Sequence, residues 1–132
     1  MSIEPDLTAS APSAAVLDAQ ALQHLRDLDP QGGTALLARV VQAFEKSLER
    51  LLPELALARS AEPNLAVVRH VCHTLKSSTA SLGALDLSRR CAQIEAQARE
   101  GRAEGLDKLL DGMHDELARV RVALAALLTQ SA

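Results

Sequence analysis

The sequence contains no Trp, no Tyr and a single Phe, Phe44, among its 132 residues. Strands draw on aromatic and β-branched side chains, so this scarcity excludes an all-β sandwich or barrel. Only two cysteines, Cys72 and Cys91, are present, too few for a disulfide framework or for a four-ligand metal site of their own. No apolar run reaches the roughly 18 residues of a membrane span, and the N-terminus lacks the basic-then-apolar pattern of a secretory signal. Positive charge is in short supply as well: 14 Lys and Arg against 17 Asp and Glu leave a net charge of −3. Nucleic acid asks for a basic face or stacking aromatics, so neither nucleic acid nor a membrane is expected as a partner.

What is present in quantity is Leu and Ala, 24 of each and over a third of the chain. These residues carry the strongest intrinsic preference for helix. With 48% hydrophobic and 23% charged residues, the chain has enough apolar material for a core. Its length suits one domain. A soluble, cytoplasmic, all-helical domain is therefore expected.

Residues 1–15 are small, polar and Pro-containing without helical period, and read as a mobile tail before a domain spanning 16–132. The starting Met1 and that tail lead us to expect a free-standing protein. Asp18 is a fitting N-cap for a short helix through Leu28, with Ala21, Leu22, Leu25 and Leu28 inward. Asp29-Pro30-Gln31-Gly32-Gly33 breaks it. Thr34 then caps a second helix with the stripe Leu37, Val40, Phe44, Leu48, Leu51 and Leu55, and Pro53 predicts a kink or short break within it. Pro63 suits the first turn of a third helix, which runs to about Leu82 and stops at Gly83. A fourth carries Leu87, Cys91, Ile94 and Ala98 on one face and ends at Gly101. The fifth has the stripe Leu106, Leu110, Met113, Leu117, Val120, Leu124 and Leu127. Short connections between striped helices favour antiparallel neighbours. The expected architecture is an up-and-down antiparallel four-helix bundle with a short additional N-terminal helix capping one end.

One segment has the marks of a site. On the third helix, Leu65, Val68, Cys72, Leu75, Thr79 and Leu82 form the buried stripe, which turns His73 roughly 130° away from its centre. Three and four residues from His73 stand Arg69, His70, Lys76 and Ser77, with Ala66 and Ala80 one turn further out. A free imidazole is mostly neutral at pH 7 and is then a nucleophile. A cation at i+3 could neutralise the oxygens of a phosphoryl group held on it. Spacing alone equally allows a solvated histidine on a basic surface patch.

The run His73-Thr74-Leu75-Lys76-Ser77-Ser78, followed by Leu82-Gly83-Ala84, resembles the signature of histidine-containing phosphotransfer (HPt) domains: loosely Ala-His-x-Leu-Lys-Gly-Ser, then Leu-Gly-Ala. The likeness extends to Leu87, Cys91 and Glu95 and, upstream, to the Leu37–Phe44 region and Ala61, covering residues 18 to 128. The resemblance implies a phosphoprotein of a two-component system, a phosphorelay intermediate without kinase chemistry of its own. It would accept a phosphoryl group from a receiver-domain aspartate and pass it to another receiver. The partners implied are receiver domains of response regulators and of hybrid sensor histidine kinases. The absence of a glycine-rich phosphate loop agrees with no ATP binding. The resemblance implies no cofactor in this chain, with Mg²⁺ held only by the receiver, and a monomer is expected. Carried over by matched position, His73 is the phosphoryl acceptor and Lys76 its electrostatic support, while Leu75 and Leu82 are core. Arg69, His70, Ala80 and Arg89 are expected to meet the partner.

Two positions depart from the family pattern. Cys72 replaces the common Ala before the histidine and is harmless if it faces the core. Ser77 replaces the usual Gly beside the acceptor, which in the family clears space for the receiver. Ser77 is either bulk there or, as expected, its hydroxyl hydrogen-bonds the imidazole or the phosphoryl oxygens. Among other candidates, His70 lacks a Lys three residues later, and His24 and His114 read as surface residues. Cys72 and Cys91 read as small apolar packing groups. A zinc site of His73, Cys72 and Cys91 would need opposite faces of one helix. Between residues 64 and 92, four basic residues (Arg69, Lys76, Arg89, Arg90) stand against Asp86 alone, a local positive face suited to an acidic receiver site. Two other classes remain open: a non-phosphorylated adaptor that sequesters receivers, and a purely structural bundle or dimerisation module.

Overall fold

Five helices make up the residues described by the structure, a computed structural model: 16–29 and 35–130. They are α1 (Ala19–Leu28), α2 (Ala35–Ala58), α3 (Leu65–Ser81), α4 (Leu85–Arg99) and α5 (Leu106–Gln130), with no strand among the described residues. Residues 1–15, the Pro30–Gly33 break and the expected Thr34 cap lie outside that set.

The helix starts have local causes. Asp18 accepts from the Ala21 N–H at 2.9 Å and caps α1 as expected. The α3 cap is Asn64, whose side-chain oxygen accepts from the Val67 N–H at 3.3 Å. Pro63 therefore precedes the cap instead of filling the first turn. An amide oxygen can satisfy a free N–H there, and proline has nothing to offer it. At α2, Asp29 Oδ2 accepts from the Leu36 N–H at 3.1 Å, so the residue that ends α1 also supports the start of α2. Asp29 is buried in doing so, and Leu28, expected inside, is left 58% exposed. Helix α2 continues through Pro53, so of the expected kink or short break the break is not made. Pro53 and Glu49 are both exposed, so the carbonyl that loses its N–H partner is on the hydrated side.

The core is continuous. Leu37, Phe44, Leu48, Leu51 and Leu55 of α2 meet Val68, Cys72 and Leu75 of α3, Leu87, Cys91 and Ile94 of α4, and Leu106, Leu110, Met113, Leu117, Val120 and Leu124 of α5. Val41 and Val71 join it, while Val40, Leu65 and Leu127 pack only partly buried at its edge. Helix α2 packs on α3, α3 on α4, α4 on α5 and α5 on α2, which closes the four-helix ring. The antiparallel sense of α2 and α5 shows in their ion pairs. Arg59 beyond the end of α2 reaches Asp107 and Asp111 at 3.0 and 2.8 Å, and Glu45, earlier in α2, meets Arg121 at 2.6 Å. His24 is exposed as expected; His114 is half-buried, its ring N–H donating to the Leu110 carbonyl at 2.9 Å.

Gly83 has φ +82°, the left-handed conformation that ends α3. Its carbonyl accepts from the Asp18 N–H at 2.7 Å, seating the start of α1 on the α3–α4 turn. The extra helix is thereby fastened at one end of the bundle, on the side away from α3's first turns.

Candidate functional site

The buried face of α3 (Val68, Val71, Cys72, Leu75 and Thr79) fixes the rotation of the helix and leaves the His73 side chain 63% exposed. On α4, the inward set Leu87, Cys91, Ile94 and Ala98 brings Glu95 against α3, where its side chain is only 4% exposed. Because the helices run antiparallel, Glu95 lies level with His73. Its Oε2 is 2.8 Å from His73 Nδ1 and 3.0 Å from an Arg99 guanidinium nitrogen, and its Oε1 is 2.7 Å from Lys76 Nζ. Ser88 Oγ donates to the Lys76 carbonyl at 2.8 Å, tying α4 to α3 beside these pairs.

The electrostatics of this cluster act on Glu95 and, through it, on which ring nitrogen of His73 is engaged. The hydrogen bond from Lys76, followed by that from His73, holds the Glu95 carboxyl below the usual carboxylate range, against burial, which pushes it up. An ionised carboxylate only accepts, so His73 Nδ1 carries the proton that it donates to Glu95. With Nδ1 engaged by Glu95, Nε2 is the ring nitrogen left without a partner among the described residues. The network holds the ring in one orientation.

Beside His73 lies a depression of about 350 Å³ lined by Ala66, Arg69, His70, His73, Glu95 and Arg99. Of the expected site residues, Arg69 and His70 thus share a surface with His73. Lys76 is adjacent through Glu95 and does not line the depression. Ala80 is half-buried and also lies outside it. Arg89 stands away from it, paired with Asp86 at 3.3 Å. Ser77 is exposed at i+4, but no hydrogen bond joins its hydroxyl to the ring, whose Nδ1 is already occupied by Glu95. The expected bond from Ser77 to the imidazole is therefore not made. Cys72 and Cys91 are fully buried, and burial pushes both thiols up to about 12, as suits inert packing groups. No group of three or more metal-ligating side chains comes together among the described residues.

The Hpt domain family model matches residues 39–123, which include the whole cluster. The chain belongs to the Hpt domain family. Its fold is similar to the crystal structure of histidine-containing phosphotransfer protein B (HptB) from Pseudomonas aeruginosa PAO1. The two share 25% sequence identity and superpose with a TM-score of 0.69, over 87% of this chain and 96% of that one. No match is found among curated proteins. As an Hpt domain, the chain has a histidine phosphotransfer role in a phosphorelay and works with receiver domains of two-component systems. None of its described helices is long and apolar enough to cross a membrane.

Sequence reasoning did not assign a site role to two members of this Hpt cluster, Glu95 and Arg99. The signal for Glu95 was available: a carboxylate within the inward face that Cys91, Ile94 and Ala98 define, with Arg99 at i+4 to partner it. What could not be read was the antiparallel register that sets Glu95 opposite His73.

Proposed function

We propose that this Hpt domain is a phosphorelay intermediate in which His73 Nε2 accepts a phosphoryl group from the aspartate of one receiver domain and passes it to the aspartate of another. The observation that carries the reading is the 2.8 Å bond between His73 Nδ1 and the buried carboxylate of Glu95. As Nε2 attacks, the P–O bond of the aspartyl phosphate breaks, the N–P bond forms, and the receiver's carboxylate leaves with the electron pair. The ring becomes cationic, and Glu95 offsets that charge through the hydrogen bond it already accepts from Nδ1. Return transfer reverses these bonds, with neutral imidazole leaving. Lys76 and Arg99 support the step by keeping Glu95 ionised. The Mg²⁺ of the reaction belongs, in this proposal, to the receiver.

The test mixes the protein with a phosphorylated receiver and looks for acid-labile, alkali-stable phosphate on the chain. Wild type should acquire it. His73→Gln should not, while remaining folded, because the exposed side chain fills no cavity. Uptake by His73→Gln and none by His70→Gln would move the acceptor to His70. Receiver binding without any phosphate on wild type would favour a sequestering adaptor.

A further inference from the structure

The charges around His73 do not balance: cations outnumber the one carboxylate, and one cation has no partner among the described residues. Glu95 is the one anion lining the depression, and both of its oxygens are already occupied by cations, Lys76 at 2.7 Å and Arg99 at 3.0 Å. Arg69 is different. It is exposed, lines the depression with His73, and has no hydrogen bond or ion pair among the described residues. Three permanent cations against one carboxylate leave an excess of positive charge, the sign that the oxygens of a phosphoryl group require.

We propose that Arg69 is the cation that binds the phosphoryl oxygens on His73 Nε2, the part that the position of Lys76 in the family motif would have suggested for the lysine. This rests on His73 being the acceptor. Drawing the Lys76 ammonium away from Glu95 would leave a buried carboxylate short of a partner, which is costly. Moving Arg69 breaks nothing. Arg69 also stands at i−4, and helical side chains lean toward the N-terminus, so the imidazole of His73 leans over the turn that carries Arg69. A guanidinium presents parallel N–H donors that match two phosphoryl oxygens at once. Lys76 does not line the depression at all. Its work is done through Glu95.

Phosphoramidate, a small phosphoryl donor, tests this without a receiver. Its own P–N bond breaks, the Nε2–P bond forms, and ammonia leaves with the proton. Uptake is followed by ³¹P NMR, and the phosphohistidine signal is then titrated with pH. Arg69→Ala should take up phosphate about three- to tenfold more slowly. It should also raise the second pKa of the bound phosphoryl group by about half a unit, because a nearby cation favours the dianion. Arg69→Lys should recover part of that shift, and Lys76→Ala should move it less than Arg69→Ala does. A phosphoryl titration unchanged in Arg69→Ala, or moved further by Lys76→Ala or Arg99→Ala, overturns the assignment. If wild type forms no phosphohistidine, the acceptor reading fails first and this one with it. Normal uptake with an indifferent Arg69 sinks this one alone.

Discussion

Replacing Glu95 by glutamine separates charge from shape in the cluster beneath His73. The amide has the volume of the carboxylate, and its oxygen still accepts from His73 Nδ1, so the ring should keep its place. What is lost is the negative charge between Lys76 and Arg99. A pair at about 4 Å in an effective dielectric of 20 is worth about 4 kcal/mol before desolvation. Burying the carboxylate opposes much of that. The two cations are 35% and 54% exposed, so water takes them back when the charge is gone, and screening already weakens their pairs. The net loss should be about 1–2 kcal/mol at neutral pH. The pH dependence gives the sharper check. The Glu95 carboxyl is held down in the folded state, so its contribution is fully present above the unfolded carboxyl value of about 4.3 and disappears as pH falls through the lower folded value. Urea unfolding of both proteins should show Glu95→Gln less stable at pH 7, with the gap closing as pH falls below the ordinary carboxylate range. Phosphoryl uptake by the variant should be slower, because the cationic phospho-imidazole loses its counter-charge. Equal stability at pH 7, or a gap that persists unchanged at the acid end, would refute the argument that Glu95 is an ionised clamp.

Three further outcomes are expected. Ser77→Gly should speed transfer from a phosphorylated receiver, because the exposed hydroxyl bonds nothing on the ring and only occupies the approach; the helix should lose about 0.5 kcal/mol. Slower transfer in both Ser77→Gly and Ser77→Ala would show instead that the hydroxyl meets the phosphoryl oxygens. Gly83→Ala should destabilise the fold by about 1–3 kcal/mol, since φ is +82° and a Cβ would stand 3.1 Å from the Asp18 carbonyl oxygen; an unchanged chemical denaturation midpoint contradicts this. Cys72 and Cys91 should resist thiol reagents until the protein unfolds, burial having pushed both thiols up to about 12. Prompt labelling under native conditions would show that the α3–α4 interface opens.

Much of this protein is settled by the order of residues along the chain. Apolar spacing of three and four sets the inner faces of α2 to α5, and that spacing alone turns His73 outward, since a helix buries one side only. Asp18 and Gly83 mark boundaries because their side chain, or lack of one, meets needs confined to a single turn. The same local logic misplaced Pro63, Leu28 and the break at Pro53. At those points the winning effect was a better cap at Asn64, an inward-turned Asp29 bonded to Leu36 seven residues on, and solvent beside Glu49. The site divides in the same way. His73, Arg69, His70 and Lys76 share one helix, and their proximity follows from its period. Glu95 is 22 residues from His73, and only the antiparallel packing of α3 on α4 brings its carboxylate to 2.8 Å from Nδ1. That contact decides which ring nitrogen carries the proton and which cation is already committed. Both are properties of charges meeting across helices, and no spacing within a single helix encodes them.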